Sequence, residues 1–103
     1  RVTREARSPP SDPSAVLRPM ELAEVQTLMD RLYGDADRER GVPATVAWLC
    51  EELGELAQAV RKGTRAQQVH EFGDVLAWLA SLANQCGITL DEAMERYVND
   101  PPV

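Results

Sequence analysis

The sequence contains few of the residues that build disulfide frameworks and zinc sites. Its 103 residues include one histidine and two cysteines, and no CxxC spacing occurs. We therefore predict that Cys50 and Cys86 are small core residues, and neither a disulfide pair nor metal ligands. The chain also lacks an apolar run long enough to span a bilayer and the continuous apolar stretch of a secretory signal. We expect a cytoplasmic protein with no membrane partner.

Basic residues are also scarce, because 11 lysines and arginines stand against 17 acidic residues and give a net charge of −6. The first 19 residues hold four of the seven prolines and carry a charge of +2, so the other 84 carry −8. We predict a disordered extension over residues 1–19 and one helical domain over residues 20–103. Nucleic-acid polymers are bound through clustered lysine and arginine, so this acidic domain is not expected to bind one. A single nucleotide is still allowed if a metal bridges the charges.

The apolar residues recur at helical spacing, and no segment shows the strict alternation of a half-buried strand. This pattern predicts an all-α, four-helix, bundle-like fold. The first helix is predicted over about residues 21–33, with Gly34 at its end and a charged loop over residues 35–42. The second helix is predicted over about residues 43–62, with a proline at its start.

Two capping boxes predict the starts of the last two helices. A threonine followed three residues later by Gln or Glu satisfies backbone N–H groups at a helix start. The pattern occurs at Thr64 with Gln67 and at Thr89 with Glu92. The third helix is predicted to run to about Cys86. Because only a few residues link the second and third helices, these two must be antiparallel neighbours.

Two short acidic motifs carry the strongest chemical signal. Glu52 and Glu55 lie three residues apart in the second helix, and Glu71 and Asp74 repeat the spacing in the third. Each pair lies on one helix face, so antiparallel neighbours would bring four carboxylates together. Such charges repel unless cations lie between them, and Mg²⁺ prefers oxygen ligands. We predict a magnesium site on two helices; the alternative is a pair of solvated acidic faces.

The residues around both motifs favour the metal site. Each motif is embedded in apolar residues, which indicates that the acids border a core. A glycine, Gly54 or Gly73, precedes the second acid of each motif. Because glycine costs about 1 kcal/mol in a helix relative to alanine, its repetition suggests close backbone approach at that point.

Two tryptophans are predicted to lie at one end of this site. Trp48 comes four residues before Glu52 and Trp78 comes four residues after Asp74, so each lies one turn from an acid. In an antiparallel hairpin both fall at the same end. They could line or sandwich a base whose phosphates are held by metals. The alternative is that both are core residues.

With these acids on a helical hairpin, the chain resembles the MazG-like branch of the all-α nucleoside triphosphate pyrophosphohydrolases, which includes dCTP pyrophosphatases and relatives of dimeric dUTPases. The family pattern is ExxE, a gap, and then ExxD; here the gap is the fifteen residues from Leu56 to His70. The stretches EELGELAQAV and EFGDVLAWLASLANQCGITLDEAM also look like the family. The likeness covers most of residues 21–98.

The resemblance implies Mg²⁺-dependent hydrolysis of an NTP or dNTP to the monophosphate and pyrophosphate, with Mn²⁺ as a substitute metal and nucleotide-pool house-cleaning as a role. It implies that the four acids are the metal ligands and that Glu52 and Glu55 are catalytic. Trp78 and Asn99 are carried over as substrate-binding residues, together with Trp48. A homodimer or homotetramer is expected, because so small a domain buries little of its own apolar surface.

The chain departs from the family at its C-terminal end, where no basic residue follows Arg96 to reach the phosphates. Three basic residues lie in the turn between the motif helices: Arg61, Lys62 and Arg65. They either bind the phosphates in place of C-terminal basic residues or form a solvated charge run. The departure also motivates an alternative function, a catalytically inactive MazG-like helical dimer that acts as an interaction module.

Two residues beside the motifs have open roles. Glu51 is a candidate general base, but it points about 100° away from Glu52, which favours an exposed structural glutamate. His70 either hydrogen-bonds a metal ligand such as Asp74 or is a partly exposed helix residue. A di-iron bundle is excluded, because it needs Glu-x-x-His pairs and the sequence has none.

Overall fold

The computed structural model describes residues 18–103, and these form four helices: α1 (Leu22–Arg40), α2 (Val42–Lys62), α3 (Arg65–Cys86) and α4 (Leu90–Asn99). The described residues contain no strand, so the predicted all-α, four-helix fold is confirmed. The most extensive packing joins α2 to α3, while α1 packs mainly on α3 and α4 packs on α1. The predicted extension over residues 1–19 lies outside the described residues, apart from its last two positions.

The capping boxes predicted for α3 and α4 both form. The Thr64 backbone N–H donates to the Gln67 side chain at 2.8 Å, and the Gln67 N–H donates back to the Thr64 hydroxyl at 3.2 Å. Thr89 and Glu92 make the same pair of bonds at 2.8 and 3.1 Å. Only Gly63 and Thr64 separate α2 from α3. These two helices are therefore the antiparallel hairpin that the sequence predicts.

The prediction that Gly34 ends α1 is wrong, and the predicted loop over residues 35–42 is almost wholly helical. The helix continues until Gly41, whose φ of 87° turns the chain directly into α2. Gly34 is buried, and the Arg38 guanidinium passes beside it to bond the Asp30 carboxylate at 3.1 Å. A Cβ at Gly34 would collide with that carboxylate. The absent side chain leaves room for an ion pair that spans the glycine, and the helix persists.

A buried glutamine holds the connection between α3 and α4. The Gln26 amide nitrogen donates to the Asn84 side chain at 3.1 Å and to the Ile88 carbonyl at 2.9 Å, and its oxygen accepts from the Leu90 N–H at 2.8 Å. Gly87 ends α3 in the left-handed conformation, with φ of 68°. These contacts fix the start of α4 against α1.

The core of the described chain is small and rich in polar side chains. Its buried apolar residues are Met29, Ala59, Trp78, Ala80 and Ala83. Its buried polar residues are Gln26, Asp37, Thr45, Glu52, Glu71 and Ser81. The prediction that Cys50 and Cys86 are core residues is wrong, because both are exposed free thiols. Among the described residues, no helix has the length and apolarity needed to cross a lipid bilayer.

Many of the apolar residues beside the acidic motifs are exposed, so they are not the chain's own core. We call eight of them the outer apolar face: Val42, Val46, Leu53, Val60, Val69, Phe72, Leu76 and Leu79. Leu53 is 48% exposed and Phe72 is 59% exposed. The expected close approach at the motif glycines does not occur within the described chain either, because a Cβ at Gly54 or Gly73 would meet no atom within 4 Å.

Candidate metal centre

Three of the four predicted acids converge in the hairpin. Glu52, Glu55 and Glu71 each place a carboxylate oxygen within 4.8 Å of the others. Helical spacing places the first two on one face of α2, and the packing of α3 against α2 brings the third beside them. Glu52 is fully buried, Glu71 is 8% exposed and Glu55 is half-buried. The structure thus unites acids from both motifs at the inner side of the hairpin.

The fourth acid, Asp74, belongs to an adjoining group. Asp74, Glu71 and His70 place ligand atoms within 4.8 Å of one another. The His70 Nε2 lies 3.2 Å from the Asp74 Oδ2, and the His70 side chain is 58% exposed. Both alternatives for His70 are therefore realised, since it is an exposed helix residue that also contacts a predicted ligand. Glu71 is common to both groups, so the four acids form one continuous cluster.

The cluster has the chemistry of a site for a hard divalent cation. Its carboxylate oxygens are the ligands that such ions prefer. At a separation of 4.8 Å, two carboxylates repel by about 3.5 kcal/mol for an effective dielectric constant of about 20. A cation between them would replace this repulsion by attraction. Glu52 is 0% exposed, which does not fit the alternative of two solvated acidic faces.

A cleft of about 590 Å³ opens between α2 and α3 beside the acids. Glu55, Glu71 and His70 line it at the acidic end, and Lys62 and Gly63 line it where α2 turns into α3. Its volume falls within the range of small-molecule sites. Residue spacing does not predict this cleft, although Glu55 and Lys62 lie seven residues apart on one helix face. Only the packing of α3 shows that this face borders an opening.

The two predicted tryptophans have different environments. Trp78 is 4% exposed, and the Arg40 guanidinium lies 4.9 Å from the centre of its ring. Arg40 is held there by Asp37 at 2.8 Å and by the Thr45 hydroxyl at 3.3 Å. Trp48 is half-buried. A base could therefore reach part of the Trp48 ring, whereas the Trp78 ring lies under Arg40, a residue that the sequence analysis did not single out.

Comparison with known proteins gives the family. Residues 40–99 match the MazG nucleotide pyrophosphohydrolase domain, a range that includes α2, α3 and α4. The chain belongs to the MazG family. It is 33% identical over 95 residues to the "Uncharacterized protein YvdC" of Bacillus subtilis (strain 168), and the match covers 76% of this chain and 90% of that protein. It is 36% identical over 89 residues to the "Uncharacterized protein YpjD" of the same organism, covering 76% and 80% respectively.

In this MazG domain, two of the residues considered from the sequence do not lie in the acidic cluster. Asn99 is exposed at the end of α4, and neither the carboxylate groups nor the cleft includes it. Glu51 is also exposed and lies outside both carboxylate groups found among residues 18–103. Within one chain, the candidate site consists of the four acids, His70 and the cleft.

Proposed function

We propose that this MazG-family protein is a Mg²⁺-dependent nucleoside triphosphate pyrophosphohydrolase that converts an NTP or dNTP to the monophosphate and pyrophosphate. The observation that carries this proposal is the convergence of Glu52, Glu55 and Glu71 beside a cleft of about 590 Å³. A carboxylate cluster alone would repel a triphosphate. Family membership supports a nucleotide substrate, and the acids fit the divalent cation that such a substrate brings.

The proposed ligands are Glu52, Glu55, Glu71 and Asp74. Mg²⁺, or Mn²⁺ in its place, would supply charge neutralisation for the phosphates and acidification of a water molecule. Glu55 lines the cleft and is half-buried, which supports a role for its carboxylate as the group that accepts the proton of the attacking water. Glu52 is fully buried and does not line the cleft, which supports a role in holding the geometry of the site.

The proposed substrate residues differ in how directly the geometry supports them. Trp48 offers a partly accessible ring one turn from Glu52, on the side away from the hairpin turn. A base could contact the Trp78 ring only after the Arg40 guanidinium moves away from that ring. Asn99 would have to come from a second copy, because α4 packs on α1 and not on the cleft. An acidic domain with a nucleotide substrate also supports a cytoplasmic location and no nucleic-acid polymer as partner.

The outer apolar face supports a homodimer, with a homotetramer as its extension. Its eight residues carry no charge, and a monomer rarely leaves so many neighbouring apolar residues in water. A face without charges is complementary to itself, as a two-fold interface requires. Sedimentation should show a dimer for the wild type, a monomer for Phe72→Lys, and a dimer for Val98→Lys, whose site is 81% exposed but lies on α4. A wild-type monomer at every concentration would contradict this.

The activity is tested by measuring pyrophosphate release from a panel of NTPs and dNTPs, with Mg²⁺ and with EDTA. Glu55→Gln should lower the rate by about 10²-fold or more, the usual contribution of a positioned proton acceptor. The matched control is Glu51→Gln, which changes the same charge at an exposed position and should retain activity. Bound Mg²⁺ without turnover of any nucleotide would instead support the alternative, an inactive helical dimer that acts as an interaction module.

A further inference from the structure

The Lys62 side chain has no acidic partner, unlike Arg38 and Arg40 of α1. Arg38 and Arg40 are both paired with aspartates of their own helix. The Lys62 side chain makes no hydrogen bond or ion pair with any other residue between positions 18 and 103. It is exposed, yet it lines the cleft that also contains Glu55 and Glu71. An unpaired ammonium therefore stands at one end of an opening whose other end is acidic.

The spacing along α2 fits an elongated, multiply charged ligand. Lys62 follows Glu55 by seven residues, which places it on the same helix face about 10 Å further along the axis. Trp48 lies before the acids on the same helix, at the opposite end from Lys62. The order along the helix is thus an aromatic ring, the carboxylates and then an ammonium group. A nucleoside triphosphate has the matching order of base, scissile phosphates and terminal phosphate.

We propose that Lys62 is a positioning residue that binds the terminal phosphates of the substrate, which leave as pyrophosphate. This inference rests on the proposed function. It gives the triphosphate a direction, with the base toward Trp48 and the leaving group toward the turn between α2 and α3. It also supplies a phosphate-binding cation within the α2–α3 hairpin itself, at the end of the cleft away from the acids.

The neighbouring residue, Arg61, provides a matched control for a purely structural role of Lys62. A cation in the last turn of a helix stabilises the carbonyl end of the helix dipole. Arg61 and Lys62 both lie in the last turn of α2, so both have this effect. Arg61 does not line the cleft. Arg61→Ala therefore removes the same charge from the same turn without removing a cleft residue.

The experiment measures kcat and KM for the preferred triphosphate, and binding of inorganic pyrophosphate and of the nucleoside monophosphate in Mg²⁺. Lys62→Ala should raise KM and weaken pyrophosphate binding about tenfold, the lower end for a charged hydrogen bond because Lys62 is exposed. Monophosphate binding should not change, because that product lacks the terminal phosphates. Lys62→Arg should retain most of the affinity, and Arg61→Ala should change each quantity by less than about twofold.

Two results would overturn the assignment. Equal effects of Lys62→Ala and Arg61→Ala would show that only the positive charge of the turn matters, and not a specific contact of Lys62. Equal weakening of pyrophosphate and monophosphate binding would indicate a structural change and not a contact to the terminal phosphates. A wild type that binds pyrophosphate through Lys62 but turns over no nucleotide would refute the proposed hydrolase while supporting the phosphate site, so the two failures are distinguishable.

Discussion

Replacing Glu52 with glutamine separates the two opposing roles that we assign to this buried carboxylate. The substitution keeps the shape of the side chain and removes one negative charge. Glu52 is 0% exposed, and one of its oxygens lies within 4.8 Å of oxygens of Glu55 and Glu71. Each of these two pairs repels by about 3.5 kcal/mol at an effective dielectric constant of about 20. Without a cation, the charge of Glu52 should therefore destabilise the fold.

The free energy of unfolding reflects only part of this repulsion, because the side chains and their surroundings rearrange around the charges. We expect Glu52→Gln to raise the free energy of unfolding in EDTA by about 1–3 kcal/mol. In Mg²⁺ this advantage should shrink, and it should reverse unless it lies at the top of that range. The wild type gains about 2.7 kcal/mol when the free ion is at 100 times its dissociation constant, and the variant has lost a ligand.

The measurement is urea denaturation followed by circular dichroism, in EDTA and in Mg²⁺. Glu51→Gln is the control, since it removes the same charge at the adjacent exposed position. It should change the stability by less than about 0.5 kcal/mol and keep the full gain from Mg²⁺. The reasoning would be refuted if Glu52→Gln were less stable than the wild type in EDTA and gained as much from Mg²⁺.

Three further predictions concern the frame around the site. Gly63→Ala should lower the free energy of unfolding by about 1–3 kcal/mol, because a Cβ would lie 2.7 Å from the Ala59 carbonyl oxygen; an unchanged urea midpoint would contradict this. Gln26→Ala removes three hydrogen bonds around the start of α4, so hydrogen exchange should accelerate in α4 and leave the α2–α3 hairpin protected; uniform acceleration would oppose it. The pKa of Glu92 lies below its usual range because the Thr89 backbone N–H, and then the Thr89 hydroxyl, donate to its carboxylate. The capping interaction is therefore fully present at neutral pH, and it is lost as the pH falls from the ordinary pKa of glutamate through the lowered pKa of Glu92. Glutamine does not titrate, so the helicity of Glu92→Gln should depend less on pH in the acid range.

Local features of the fold were predictable because their partners are close in sequence. The boxes at Thr64 with Gln67 and at Thr89 with Glu92 each involve residues three apart, and both form. The same holds for the pairing of Glu52 with Glu55 on one helix face. Because only two residues join α2 to α3, these helices pack as antiparallel neighbours. The hairpin, and with it most of the candidate site, follows from such short-range rules.

The errors concern contacts that residue spacing alone does not reveal, either within one helix or between two. Gly34 resembles a helix end, but the Arg38 guanidinium reaches past it to Asp30 and the helix continues. No short-range pattern predicts that Arg40 covers the Trp78 ring, because that contact joins the end of α1 to the middle of α3. Propensity describes one helix at a time, so it cannot anticipate a contact that depends on the packing of two.

The apolar residues beside the motifs show why periodicity identifies an apolar stripe but not its partner. Leu53 follows Glu52, and Phe72 follows Glu71, so each apolar side chain points about 100° away from its acid. The hairpin closes over the two acids and leaves the two apolar side chains 48% and 59% exposed. A stripe that faces the chain's own core and one that faces a second copy have the same spacing, because both exclude water in the same way. What distinguishes them is the number of helices available, and the four helices of residues 18–103, one of them ten residues long, include none that covers the outer apolar face.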